Sequence, residues 1–295
     1  MNFYTRSDLA FENVADMETP LKGVTQREEQ VGDFRILEVC IADREASEQI
    51  GKPIGVYLTL ECGRFNLLGE AQEALLEHLL ADRLSDMARR LTKKEINSEF
   101  SLLAVGLGND EMTADAVGPR TVAGLTATRH LRAHAPALYR SAGCTSLSLV
   151  SPGVLGQTGM EALEILQGAL KCVCPDLVLV VDALAARSCD RLASTVQLSD
   201  VGISPGSGVG NHRAPLTQET LGVPVIALGV PTVVNSATLV YDVLEQAGIE
   251  DPCESVHKVL ETGKSFFVSP KDCDAITAHA ARILSGAIRQ AFSGI

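Results

Sequence analysis

The chain has 295 residues, 25 Lys+Arg against 37 Asp+Glu, and a formal charge of −12. Hydrophobic residues make up 46% and charged residues 21%, which excludes wholesale disorder and supplies enough apolar surface for a large core. The acidic balance, the lack of Trp and an aromatic share of 4% argue against direct nucleic-acid binding, which needs clustered cations or stacking platforms.

The first twenty residues are polar and without a sustained period, so they read as a mobile arm with no signal-peptide core. Strands are predicted over 34–40 (FRILEVC) and 54–60 (IGVYLTL), rich in β-branched and apolar residues. A helix is predicted over 71–91, where Leu75, Leu76, Leu79, Leu80 and Leu84 fall on one face. From Ser101 the pattern alternates. Short apolar strands at 102–105, 145–150, 177–181 and 224–228 are separated by helix-like segments at 115–131 and 159–170. Helices over 236–246 and 272–292 close the chain.

That alternation predicts an α/β fold: a mostly parallel sheet with helices on both faces, preceded by an additional N-terminal β/α element. No run approaches the ~18 uninterrupted apolar residues of a membrane span. The eight scattered cysteines contain no CxxC pair, which predicts reduced, mostly buried thiols and a cytoplasmic protein.

In open α/β sheets the site lies beyond the carboxyl ends of the strands. Loops 106–115, 151–159, 182–188 and 229–235 are therefore the places to inspect. Two of them carry an acid: Asp182, directly after the strand at 177–181, and Asp115, near a helix start. A close pair of carboxylates can divide the work of hydrolysis. One keeps its proton and donates it, while the other activates water. The bland alternatives are an N-cap for Asp115 and a carboxylate satisfying loop amides for Asp182.

Other motifs are weaker. The run 205–211 (PGSGVGN) has neither P-loop nor Rossmann spacing, and reads instead as a loop permitting close approach of an extended peptide. No G-x-S-x-G elbow is present, and Ser151, Ser188 and Ser207 have no evident His partner. His130 and His134 stand at i and i+4 without an H-E-x-x-H motif, so they read as solvated helix residues.

Several stretches then match a known pattern in the same order: RSDLA (6–10), VGLGN (105–109), TADAVGP (113–119), SPGVLGQTG (151–159), VDALAARS (181–188), GISPGSGVGN (202–211) and GVPVIALGVPTVV (222–234). With these the chain resembles the germination protease family, endopeptidases that degrade small acid-soluble spore proteins when endospores germinate. The resemblance implies a fold akin to the hydrogenase-maturation proteases and the phosphorylase/hydrolase-like proteins. It implies an atypical aspartic-type protease whose catalytic pair is Asp115 and Asp182, with no cofactor. It also implies a zymogen that cuts itself between Asp8 and Leu9, leaving a propeptide of 1–8 and a single protease domain of 9–295. Asn109, Gly153, Arg187, Ser207 and Gly208 are the expected substrate contacts. Spore proteins are the implied partners, with no membrane and no direct nucleic-acid contact, and a homotetramer in the spore core is the implied assembly. Two other readings stay open: a metal-assisted protease, and a non-catalytic module that binds spore proteins.

Overall fold

Ten residues with a single polar side chain, LVLVVDALAA, form the strand around which the molecule is built. The computed structural model describes residues 7–15, 21–208, 213–249, 253–262 and 266–292. Among them nine strands form one sheet: β1 (Val24–Val31), β2 (Phe34–Ile41), β3 (Gly55–Glu61), β4 (Ser101–Gly106), β5 (Ser146–Val150), β6 (Leu177–Ala186), β7 (Thr195–Ser199), β8 (Val225–Asn235) and β9 (Phe267–Val268). Their order is β1-β2-β3-β7-β8-β6-β4-β5, with β9 on β8.

The sheet is mixed. The four strands β8-β6-β4-β5 run parallel, as the alternating pattern predicts, whereas β1, β2, β3 and β7 join antiparallel. The N-terminal element is thus an extension of the same sheet. Alternate side chains of the parallel strands enter two cores. Leu102, Ala104, Leu177 and Leu179 meet the helices Glu70–Thr92 and Cys273–Phe292 through Leu76, Leu80, Leu84, Ile283 and Phe292. Leu103, Val105, Val178 and Val180 face Leu166, on the helix Ala162–Val173 of the opposite face. Coverage on both faces is why β6 is apolar almost without alternation.

Several expectations need correction. Segments 182–186 and 229–235 are not loops: β6 continues to Ala186 and β8 to Asn235. β8 runs through Pro231 because the register slips there, Leu184 facing Pro231 while Ala185 faces Val233. The bulge absorbs the missing proline N–H and frees Thr232 for another use. The predicted helix at 115–131 is broken into a 3₁₀ turn, Thr113–Asp115, and two short helices, Val117–Ala123 and Arg129–His134.

The described part of the N-terminal arm is docked rather than loose. Ala10–Ala15 is helical, and Leu9 and Ala10 are almost fully buried. The cysteines are all free, but only Cys62 and Cys144 are buried; Cys172 and Cys174 sit exposed at the end of their helix. Among the described residues no helix is long and apolar enough to cross a membrane.

Two close backbone approaches fix the region after β4. A Cβ on Gly118 would collide with the carbonyl oxygens of Leu107 and Val181, and one on Gly108 with the Asp115 carbonyl. Glycine is required there because backbone lies against backbone. Gly118→Ala should therefore cost about 1–3 kcal/mol of stability, read as a lowered urea midpoint at unchanged slope.

Candidate active site

Asp115 and Asp182 line one cavity of about 440 Å³. Asp182 lies inside β6, one residue beyond its last pairing with β4 (Gly106 with Val181), and is only 7% exposed. Its Oδ1 accepts the N–H of Ala183 at 2.9 Å. Asp115 closes the 3₁₀ turn and is half-buried. Three tethers hold that turn. Thr232, the bulge residue of β8, donates its hydroxyl to the Ala114 carbonyl at 2.6 Å, and Thr277 donates to the Thr113 carbonyl at 3.1 Å. Asp115 Oδ2 in turn accepts the N–H of Asn109 at 2.8 Å.

The pair is electrostatically unequal. Burial pushes the Asp182 carboxyl well above the usual carboxylate range, and the nearby Asp115 and Asp8 push it further. Burial also raises Asp115, but less, because its carboxyl is less enclosed; the Asn109 N–H pulls it the other way. Asp182 is accordingly the member that holds a proton more tightly, although the titration belongs to the pair.

The N-terminal segment reaches this place as well. Asp8 lines the same cavity. Its backbone N–H donates to the Ala185 carbonyl at 2.9 Å, and its Oδ2 accepts the N–H of Ala185 at 2.9 Å. Ser207 donates to Oδ1 at 2.7 Å. Leu9 packs against Leu184, Ala186, Leu192 and Val234. Glu12 is buried and anchors the segment by accepting the N–H groups of Arg187 and Ser188 at 2.8 and 2.9 Å, along with the hydroxyl of Ser7.

The other residues singled out in the sequence divide. Asn109 and Gly153 line the aspartate cavity. Ser207 touches Asp8 from a neighbouring cavity, and Gly208 lies so close that a Cβ there would strike the Asp8 carboxylate. Arg187 lies apart, in a cavity with Phe11, Glu12 and Arg191. Of the glycine loop, residues 209–211 fall outside the described residues. His130 and His134 are solvent-exposed, as expected. Among the described residues no three His, Cys, Asp or Glu converge to hold a metal ion. Lys52 and Gln197, which contact the N-terminal segment, carry no motif that would have marked them.

A family model described as germination protease matches residues 6–247. A germination protease of Caldanaerobacter subterraneus is 39% identical over 97% of this chain and 93% of its own length. One from Clostridium acetobutylicum is 36% identical over 90% and 87%. Among solved structures, a hydrogenase maturation protease from Thermococcus kodakarensis aligns at 18% identity and a TM-score of 0.32, over 61% of this chain and 92% of that one.

The buried carboxyl gives a stability test. A raised folded-state pKa means that the folded protein binds the proton more tightly than the unfolded chain does. Stability is therefore lost as pH rises from the ordinary value of 3.8 through the raised one. Asp182→Asn should raise the thermal midpoint by a few degrees near neutral pH, with the gain vanishing at or below the ordinary carboxylate range. A gain independent of pH in calorimetric scans would contradict the assignment.

Proposed function

The chain belongs to the germination protease family, and we propose that it is an endopeptidase zymogen. In this reading it cuts itself between Asp8 and Leu9, then hydrolyses small acid-soluble spore proteins during germination, with Asp115 and Asp182 as an acid/base pair on water. The observation that carries the reading is the position of its own peptide: residue 8 lies in the cavity that both aspartates line.

The unequal environments support a division of roles. Asp115, the more accessible carboxylate, takes a proton from water as the oxygen attacks the peptide carbonyl carbon. Asp182 holds its proton until the tetrahedral intermediate collapses, then gives it to the departing amine. Docking of the substrate main chain supplies the orientation that makes attack effectively unimolecular. Spore proteins would reach the site once the 1–8 segment has left it.

Incubation of the purified protein with an acid-soluble spore protein, with and without chelator, tests the reading by the masses of the fragments. Cleavage unaffected by chelator is expected, and Asp115→Asn and Asp182→Asn should each slow it by about 10²–10⁴-fold while remaining folded. Loss of activity with chelator and recovery with a divalent metal would favour the metal-assisted reading. Binding without fragments would leave only a binding module.

A further inference from the structure

Two side chains outside the aspartate pair grip the main chain on both sides of the Asp8–Leu9 bond. The carbonyl oxygen of Asp8 accepts from Lys52 Nζ at 3.0 Å and from Gln197 Nε2 at 3.0 Å. The other end of the same amide, Gln197 Oε1, accepts the N–H of Ala10 at 2.8 Å. Gln197 thus satisfies the carbonyl before the bond and the second N–H after it, as a neighbouring strand would do with two peptide groups. It stands on β7, only 7% exposed. A buried amide whose two ends meet only residues 8 and 10 among the described residues is costly to leave empty, which favours a peptide main chain in that place. Lys52 comes from the turn between the helix Arg44–Ile50 and β3, beside Tyr57.

We propose that Lys52 is the electrophile of peptide cleavage and Gln197 the clamp that registers the substrate main chain. The inference rests on the reading above that Asp8–Leu9 is the bond cut. As a water oxygen bonds to the Asp8 carbonyl carbon, the carbonyl π pair moves onto its oxygen, where the Lys52 ammonium and the Gln197 N–H meet the developing negative charge. The water proton passes to Asp115. Collapse breaks the C–N bond, and the Leu9 nitrogen leaves with the proton from Asp182. One water is consumed, and a carboxylic acid and an amine are formed. Among the described residues the hydrogen bonds of Lys52 and Gln197 go only to main-chain atoms, so the same arrangement serves any peptide that presents a carbonyl and the second N–H after it in this way.

The charge of Lys52 is set by its surroundings. Burial draws its pKa down from the ordinary 10.5, against the opposing pull of the Asp8 and Glu12 carboxylates that face it. The Tyr57 phenol is pushed upward by its own burial, out of the range in which Lys52 loses its proton. Cleavage that needs an ammonium must therefore fade on the alkaline side, before an unperturbed lysine would titrate.

Self-cleavage of the full-length chain, followed by intact mass from mildly acidic to alkaline pH, tests the proposal. The wild-type product should begin at Leu9. Lys52→Met should cut about a hundredfold more slowly, and Gln197→Met should also be slowed, with both folded by circular dichroism. Lys52→Arg should retain measurable cleavage with its alkaline fall moved upward, because a guanidinium keeps its proton. A packing role alone would not move that limb. Should Lys52→Met fail to fold, the Lys52→Arg profile decides. A wild-type chain left uncut, or cut elsewhere, overturns the reading of the bond and the clamp with it. A wild-type product beginning at Leu9, with Lys52→Met at full rate or Lys52→Arg on the wild-type alkaline limb, overturns the clamp alone.

Discussion

An ionisable side chain in the middle of a strand covered on both faces is the constraint to which the rest of the site answers. Apart from its bond to the neighbouring Ala183 N–H, Asp182 has little to stabilise a charge, and residues 177–181 before it are fully buried. A carboxyl so placed is easier to keep neutral than ionised. Its second acid must then come from elsewhere in the chain and be held by separate means. The 3₁₀ turn at Thr113–Asp115 does this, pinned from β8 by Thr232 and from the C-terminal helix by Thr277. The proline-associated bulge in β8 and the small residues at 108 and 118 all serve that one placement.

The docked N-terminal segment obeys a related logic. Residues 7–14 contain two acids, Asp8 and Glu12, and both find backbone N–H donors or hydroxyls in the 185–188 and 207 regions. Partnered in that way, the carboxylates can be buried at modest cost, and Leu9 and Ala10 add apolar contact. Polar composition alone suggests an arm in solvent. The tertiary partners, far away in sequence, turn it into part of the core.

Much of the parallel half was legible because its strands are continuous apolar runs and its long helices have a clean period. Helix Ser236–Gln246 starts and ends where the pattern places it. The misses have physical causes. A polar residue in β6 and a proline in β8 look like strand ends, yet a bulge and a partnered carboxylate let both strands continue. β7 is only five residues long and buried throughout, so it offers no alternation to read. That Asp115 and Asp182 come together in one cavity follows from the order of strands and helices alone. Lys52 and Gln197 were not legible, since a lone Lys in a turn and a lone Gln in a short strand look like solvated or incidental polar residues.

The strand β1 buries almost nothing: its sequence is VTQREEQV, with the six central residues exposed. It pairs residue for residue with β2, whose side chains Phe34, Ile36, Leu37 and Val39 are all core. Without β1, the rim of the sheet would be a flat apolar strand with free N–H and C=O groups, an open template for another molecule. With it, the outermost backbone is flanked by Arg27, Glu28 and Glu29, and an incoming strand would have to strip water from charges to join. A protein with such an edge can stay folded at high concentration without recruiting its neighbours into fibres.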